Sequence, residues 1–497
     1  MSEAPALGME VVGEDGAPVA CRIHLRNSAG ELQFPAGFPG FHDHFVFPGS
    51  GSINLPAGGY TYEIERGPEF APVSGTVTLA RGRETVRVQL KRLVDLAAAG
   101  WFSGDLHIHR SFDDIRLLAQ AEDLRVAPVI TWGNDGASKA PHDLVTFDNG
   151  RFADPTAGED ERFGGALLYF RLDKPLPLPP NARDEKHRIT HRAGDVNDES
   201  PPPAAFAETA RKSPAAHVDI EKPFWWDVPT WLASGLADSI GIAHNHMNRV
   251  GPRDHEAWGR RCPGGPGRDP LTNGYCTQDI YYRILESGLR IAPSAGSASG
   301  VLPNPVGYNR VYVHAKPPLT YDDWWKGLKA GRSFVTNGPL LLASANGELP
   351  GHTFSTSAAK PLKIALDVRV ISSTPIRNVE LVRDGRVVAT ASYAAATGRA
   401  EFEPQTFQQS GWFLVRALTN KTDTFRFAST GPYYVEAQGA PRRISRSAAN
   451  FFLTWVNERI DQLEKADDSS PELAELSARH RAARTFWERR IQAATVD

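Results

Sequence analysis

The chain of 497 residues has little cysteine, little methionine and no long apolar stretch. Its three cysteines, Cys21, Cys262 and Cys276, lack metal-site spacing and are too few for a disulfide framework, although Cys262 and Cys276 could still pair across a loop rich in Gly and Pro. No run of about 18 apolar residues is present, so we expect no membrane-spanning helix.

An excess of charge of either sign is also missing. The 55 lysines and arginines are balanced by 58 acidic residues, and the formal net charge is −3. This charge offers no attraction for nucleic acid or an anionic membrane, so we expect a small-molecule substrate as the partner. The oligomeric state is not indicated. Residues 1–8 lack the basic and apolar regions of a secretory signal, which indicates a cytoplasmic protein, or a periplasmic or secreted one from which a signal was removed.

The pattern of apolar and polar residues divides the chain into four parts. Residues 1–92 alternate apolar and polar residues between turn signals, which is typical of a β-sandwich, and the pattern returns over residues 346–440. Between them, residues 93–345 alternate apolar strands with helical patterns, which indicates an α/β parallel sheet or barrel with ligands at the carboxyl ends of its strands. A polar, Pro-rich insertion at about 172–213 is either a lid or disordered. Residues 441–497 have helical periodicity and are expected to form a helical tail.

The first of two histidine pairs in the middle region lies in Gly104–His109. His107 and His109 are at i and i+2, so both rings face the same side of a strand end, where they form a natural pair of metal ligands. Asp105 shares this face and could hold a ligating imidazole, and Asp114 lies shortly downstream. We therefore take His107, His109 and Asp114 as candidate metal ligands and Asp105 as a candidate catalytic residue.

A second pair, His244 and His246, follows the apolar strand Ser239–Ala243. If both strand ends open into one mouth, four imidazoles converge with a carboxylate, a donor set that suits Zn²⁺ and, less selectively, Mn²⁺ or Fe²⁺. The alternative is that His244 stabilises a loop. No organic cofactor is expected, because no phosphate loop or dinucleotide fingerprint is convincing. A third pair, His42 and His44, lies outside the middle region and is interpreted as a structural loop or as a further contributor to the site.

Glu221 and Lys222 precede a dense aromatic patch and are candidate catalytic residues. Glu221 could ligate a metal or act as a base, and Lys222 could stabilise an oxyanion; the alternative is a surface ion pair beside core tryptophans. The small residues of Pro293–Gly300 allow close approach of a substrate or another backbone, and the absence of a Gly-x-Ser-x-Gly elbow argues against a serine hydrolase. An aromatic or sugar-like substrate face, or a large core, would suit the tryptophans Trp132, Trp225, Trp226, Trp231 and Trp258.

These motifs resemble those of a known family. Gly104–His109 with Asp114 is similar to the first motif of the polymerase-and-histidinol-phosphatase (PHP) superfamily. Within that superfamily, the closest resemblance is to the CehA/McbA-type, carbaryl hydrolase-like metallohydrolases. Ile284–Ser297 is similar to the strand that leads to the last motif of that family, and Gly327–Pro339 is similar to its closing segment. The resemblance covers about residues 93–345.

The resemblance implies a distorted PHP-type (β/α)7 barrel, here flanked by the two β-sandwich domains and followed by the helical tail. It also implies hydrolysis of an ester, carbamate, amide or phosphoester bond by a metal-activated water. Several ligand positions of the family are replaced in this chain. The replacing residues are Trp132, Gly133, Lys222, Ala298 and Gly300.

The usual multimetal cluster therefore cannot form from the usual positions. We expect a mononuclear hydrolase that acts on carbonyl substrates, because one metal suffices for carboxylic esters and amides. A non-catalytic binding or scaffold protein is the alternative, and an intact phosphoesterase with unusual ligands is a third interpretation.

Overall fold

The computed structural model describes residues 6–80, 83–138, 143–148, 150–253, 259–261, 269–357, 360–466 and 471–497. The N-terminal part is built from the strands β1 (Ala6–Val12), β2 (Cys21–Asn27), β3 (Gly40–Phe41), β4 (His44–Phe47), β5 (Ser50–Asn54), β6 (Gly58–Glu65), β7 (Val73–Leu79) and β8 (Arg83–Gln89). One sheet has the order β5-β1-β8 and the other the order β3-β4-β2-β6-β7. Both sheets contribute to one apolar core, to which Leu7, Ile23, Phe45 and Ile53 belong.

The middle part mixes strands and helices after a short 3-10 helix, Ala97–Ala99. Its elements are β9 (Trp101–Gly104), α1 (Ile115–Ala121), β10 (Val126–Gly133), β11 (Gly136–Ala137), β12 (Val145–Phe147), β13 (Arg151–Arg162), β14 (Gly165–Phe170), α2 (Val196–Glu199), α3 (Pro203–Ala210), β15 (His217–Ile220), α4 (Val228–Ser234), β16 (Ser239–Ala243), α5 (Thr272–Glu286), β17 (Ala292–Ala295), β18 (Arg310–His314), α6 (Tyr321–Lys329) and β19 (Ser333–Thr336). Every residue of β15, β16 and β17 is buried, as expected for strands with both faces covered.

The C-terminal part returns to strands and ends in two long helices. Its elements are β20 (Leu340–Ala345), β21 (Thr353–Thr356), β22 (Leu362–Ile364), β23 (Leu366–Ile371), β24 (Ile376–Arg383), β25 (Arg386–Thr390), β26 (Ser392–Ala394), β27 (Arg399–Glu401), β28 (Gln405–Phe407), β29 (Gly411–Thr419), β30 (Phe427–Thr430), β31 (Tyr433–Ala437), α7 (Arg446–Lys465) and α8 (Pro471–Gln492). Ser445 caps α7 by accepting a hydrogen bond from the backbone N–H of Ala448.

The expectation of a (β/α)7 barrel is wrong. Strands occupy 38% of the structure and helices 20%, and the sheets are not closed. The central ladder runs β17-β16-β15-β14-β13-β10-β9-β18-β19, and none of the described strands links β17 back to β18 through a ladder. Antiparallel pairing of β13 with β14, of β14 with β15, and of β18 with β9 and β19 breaks the β/α repeat. Moreover, β19 pairs with β30, so the central sheet continues into the C-terminal strands.

The polar insertion and the helical tail pack against each other. The guanidinium of Arg459 on α7 is fully buried and contacts both Glu199 of the insertion and Asp227. The insertion also joins the middle sheet, because Asn134 Nδ2 donates to the carbonyl oxygen of Pro179 at 3.0 Å. The insertion is therefore a fixed wall of the molecule in this structure. None of the described helices is long and apolar enough to cross a membrane.

Candidate metal centre

The carboxyl ends of β9, β10, β15, β16 and β17 open into a cleft of about 750 Å³. The insertion contributes Asn181 and Ile189 to one wall, and β13 contributes two glutamates. The residues that line the cleft include His107, His109, Trp132, Asn134, Glu159, Glu161, Asn181, Lys222, Trp225, Asn245, His246, Arg253 and Ala298. The ligand-bearing end of a parallel sheet is where such a site is expected.

Three side chains converge at the floor of the cleft: His107, His109 and Glu159. The two Nε2 atoms lie 2.9 Å apart. Glu159 Oε1 is 3.3 Å from His107 Nε2, and Glu159 Oε2 is 3.2 Å from His109 Nε2. We call these three residues the floor triad; each offers a ligand atom within 4.8 Å of the others.

Glu221 stands behind His107. Its Oε1 lies 3.2 Å from His107 Nδ1, on the side of the ring away from the floor triad. Its Oε2 accepts from Lys222 Nζ at 2.5 Å and from Trp225 Nε1 at 3.0 Å. A carboxylate at Nδ1 keeps the ring proton on that nitrogen and leaves the Nε2 lone pair for a ligand in the cleft.

Asp105 supports the backbone of the site and contacts neither ring. Its Oδ1 accepts from the backbone N–H groups of His107 at 3.0 Å and Ser297 at 2.9 Å. Its Oδ2 accepts from Ser297 Oγ at 2.5 Å and from Gly307 N at 2.6 Å. Burial raises the pKa of Asp105 despite these four bonds. The residue therefore fixes the turn that presents His107.

The small residues after β17 let a second backbone approach the histidines. A Cβ added at Gly296 would lie 2.4 Å from His107 Cβ, and one at Gly300 would lie 2.5 Å from the carbonyl oxygen of His109. Between them, Ala298 adopts a positive φ of 49° and lines the cleft. Of the two interpretations that the sequence left open for this segment, close approach of another backbone is the one realised here.

Charge at the floor is dominated by carboxylates. Burial by itself lowers the pKa of His107, but Glu159 and Glu221 outweigh it and raise that pKa to about 10. Burial would raise the pKa of Glu159, yet His107 and His109 hold it well below its usual value. Glu161, two residues along the same face of β13, has a pKa raised to about 7 by burial and by Glu159. Crowded carboxylates of this kind attract a cation.

The second histidine pair does not join the floor triad. His244 Nδ1 accepts from the backbone N–H of His246 at 3.3 Å, and its Nε2 lies 2.9 Å from Thr277 Oγ1. Burial lowers the pKa of His244 well below its usual value. His246 lines the cleft, whereas Asp114 precedes α1 and belongs neither to the triad nor to the cleft lining of the described structure.

The remaining sequence candidates are dispersed. Trp132 and Trp225 line the cleft, Trp231 is buried in the core, and Trp258 lies outside the described residues. Cys276 is disulfide-bonded, and Cys262 lies outside the described residues. Among the histidines of the N-terminal strands, His44 pairs with Asp43 at 2.9 Å, while the His42 side chain is 53% exposed.

Sequence reasoning missed Glu159 and Glu161. Both lie on β13, in the run Gly158–Arg162, where alternate positions point to opposite faces and Asp160 pairs with Arg162 on the other side. The one available signal was the alternation of acidic residues within this run. It is weak, because a charged run usually marks an exposed loop.

The floor triad fits a divalent metal ion. Ligand atoms held about 2.1 Å from one ion lie roughly 3 Å from each other, which is close to the spacings of the triad. Two imidazole nitrogens and a carboxylate suit Zn²⁺, Mn²⁺ or Fe²⁺. A bound cation also explains why the two Nε2 atoms lie within hydrogen-bonding distance of each other, because both nitrogens can then act as ligands. His107, His109 and Glu159 are therefore the residues that would hold the ion.

No protein-family model and no curated protein matches the chain. Among solved structures, the chain is similar to the crystal structure of an engineered protein, at 18% sequence identity over 20% of this chain and 20% of that chain. The TM-score of that match is 0.13, so it carries no information about the overall fold. The floor triad is thus the observation on which a functional conclusion depends.

Proposed function

We propose that the cleft binds one divalent metal ion, most simply Zn²⁺, at His107, His109 and Glu159, and that the protein is a hydrolase of ester, carbamate or amide bonds. The observation that carries the proposal is the floor triad with Glu221 behind His107. A carboxylate–imidazole pair of this kind is the usual support of a metal-binding histidine. The similarity of Gly104–His109 to the first PHP motif supports the same chemistry.

A bound ion would supply Lewis acidity, which lowers the pKa of water and polarises a carbonyl group. The chain supplies the rest. Glu161 shares the face of β13 with Glu159 and lines the cleft, so we assign it proton transfer to and from water and the leaving group. Lys222 also lines the cleft, beside Glu221, and we assign its ammonium the stabilisation of negative charge on the substrate oxygen. Glu221 orients His107 and needs no contact with substrate.

The decisive experiment measures metal and turnover together. Protein stripped with chelator is reloaded with Zn²⁺, Mn²⁺ or Fe²⁺ and assayed on aryl esters, anilides, aryl carbamates and aryl phosphates. We expect about one equivalent of bound metal and metal-dependent cleavage of a carbonyl substrate. Glu159→Gln should lower kcat/KM at least about 100-fold, while Glu161→Gln should lower kcat and leave the metal content unchanged.

His42→Ala is the matched control, because it removes an exposed imidazole from another His-x-His pair. It should change neither metal content nor turnover. Bound metal below about one tenth of an equivalent would contradict the proposal. Metal binding without turnover of any carbonyl substrate would indicate a binding protein instead, and cleavage of the aryl phosphate alone would indicate a phosphoesterase.

A further inference from the structure

Two carboxamides that line the cleft have no hydrogen-bond partner for their oxygen within the part of the chain that the structure describes. Asn245 follows β16 and is only 5% exposed, and its Oδ1 is shielded from solvent. Asn181 lies on the insertion, and its Oδ1 is also buried without a partner among the described residues. Buried polar atoms are nearly always paired, so two unpaired acceptors in one cleft point to a ligand that pairs them.

Asn134 provides the internal comparison, since it is a buried asparagine in the same cleft. Its Nδ2 donates to Asp160 Oδ1 at 2.9 Å and to the carbonyl oxygen of Pro179 at 3.0 Å. Its Oδ1 accepts from the backbone N–H of Glu161 at 2.8 Å. The amide of Asn134 is therefore paired within the protein, whereas the amide oxygens of Asn245 and Asn181 in the same cleft have no partner among the described residues.

Asn245 is also tied to the floor triad by a chain of buried groups. Asn304 Nδ2 donates to the carbonyl oxygens of Asn245 at 2.8 Å and Ser297 at 2.9 Å. Ser297 Oγ donates to Asp105, whose other oxygen accepts from the backbone N–H of His107. The same network therefore fixes the backbones of Asn245 and His107. Because the backbone of Asn245 is fixed, only the side-chain torsions of its amide lose freedom when a substrate binds.

We propose that Asn245 and Asn181 form a recognition pair that accepts hydrogen bonds from hydroxyl or amide N–H groups of a neutral substrate. The cleft lining carries acidic groups (Asp135, Glu159 and Glu161) together with basic ones (Lys222 and Arg253), so its charges nearly balance and a neutral ligand fits it. Because the terminal torsion of asparagine is broad, each amide can turn its oxygen to the cleft without moving the backbone. The inference rests on the proposed function only in placing the substrate in this cleft.

The test uses metal-free protein, so that binding is measured without hydrolysis. Two matched ligand pairs separate the two sources of donor groups: methyl β-glucoside against its fully O-methylated form, and N-methylacetamide against N,N-dimethylacetamide. Binding is measured by saturation-transfer NMR titration. We expect the donor-bearing member of at least one pair to bind about tenfold more tightly than its methylated partner.

The variants then assign the preference to the two amides. Asn245→Leu should remove the preference, and Asn181→Leu, on the insertion, should reduce it even if Asn245→Leu does not fold. Asn378→Leu is the control, because its amide contacts Glu380 on β24, outside the cleft lining, and it should keep the preference. Equal binding of both members in both pairs overturns the inference, as does a preference unchanged by either cleft variant. A protein that binds no metal but shows the preference would contradict the proposed function alone.

Discussion

Among the described residues, two clusters bring three potential metal ligands close together, and one of the two fits a metal. The floor triad borders an open cleft of about 750 Å³. The other cluster, His24, Asp43 and His44, lies in the N-terminal strands and also has its ligand atoms within 4.8 Å of one another. We call it the N-terminal cluster.

The N-terminal cluster is already in contact with arginine side chains. Arg249 NH1 lies 3.5 Å from Asp43 Oδ2, and Arg22 Nε lies 3.2 Å from His24 Nε2. Glu65 pairs with Arg22, which also contacts Glu122 beside α1. The floor triad differs, since no described arginine or lysine forms an ion pair with Glu159. Proximity of ligand atoms therefore indicates a metal site only where no arginine or lysine already pairs with the carboxylate.

The largest expected effect is on metal binding, which should differ between variants of the two clusters. Stripped protein titrated with Zn²⁺ should take up about one equivalent tightly, and the variant His107→Ala/His109→Ala should lose this binding because two of three ligands are gone. The variant His24→Gln/His44→Gln should bind as the unchanged protein does. Calorimetry with a competing chelator measures both affinities. If the His24→Gln/His44→Gln variant alone lost binding, the N-terminal cluster would be the metal site and the floor triad would not.

The next effect concerns stability. Arg22 is 4% exposed, and Arg22→Met would remove the cation that Glu65 and Glu122 share, leaving Glu65 to Arg249 and Glu122 to Arg310. We therefore expect a loss of about 1.5–3 kcal/mol in the free energy of unfolding. Glu159→Gln removes the carboxylate that pairs with His107 and His109 but also relieves the crowding of Glu161, so metal-free protein should lose less than Arg22→Met does, about 1 kcal/mol. Urea unfolding of the two variants checks this. Similar losses in both would show that the triad is a structural ion pair too.

Acid should weaken the N-terminal cluster in a defined window. Burial lowers the pKa of His44 to about 4, aided by Arg22 and His24 and opposed by Asp43. In the unfolded chain His44 is protonated below about pH 6.5, whereas in the folded protein it stays neutral down to about pH 4. The free energy of unfolding therefore falls as the pH drops from about 6.5 to 4, by up to about 3 kcal/mol for this group. His44→Gln should flatten that slope in urea unfolding between pH 7 and 4.5. His42→Gln, the exposed neighbour, should leave it unchanged; a slope unaltered in the first variant would contradict the assignment.

The same contrast explains what could be predicted from the sequence. His107 and His109 were found because alternate residues at a strand end face the same side (local parity), whereas Lys222 was singled out with Glu221 by the aromatic patch that follows them. Parity could not reveal that His244 is engaged by Thr277, which belongs to α5, because that contact spans 33 residues. Glu159 was missed for the same reason, since its position depends on β13 pairing with β10.

The sequence indicated several individual strands, but the predicted arrangement of the strands in a barrel was wrong. Strands at β9, β16 and β17 were predicted from the sequence, whereas their order depends on ladders between distant segments. The hairpin of β13 and β14 fills a place where the repeat required a helix, and its charged residues gave no strand pattern. The pairing of β19 with β30 then joined two regions that the change of pattern near residue 346 had separated.

The smallest expected effect tests why the triad is a site and the N-terminal cluster is not. Within the floor triad Glu221 contacts His107, at Nδ1, and its other oxygen accepts from Lys222 and Trp225. Glu221→Gln keeps the size of the side chain but weakens its hydrogen bond with the Nδ1 proton of His107. Metal affinity should therefore fall about 10- to 100-fold with the stoichiometry unchanged. Glu65→Gln makes the equivalent change beside His24 and should leave metal affinity unchanged. If Glu221→Gln also binds metal normally, His107 is positioned by the Asp105 network alone, and the carboxylate behind the ring stabilises Lys222 and Trp225 instead.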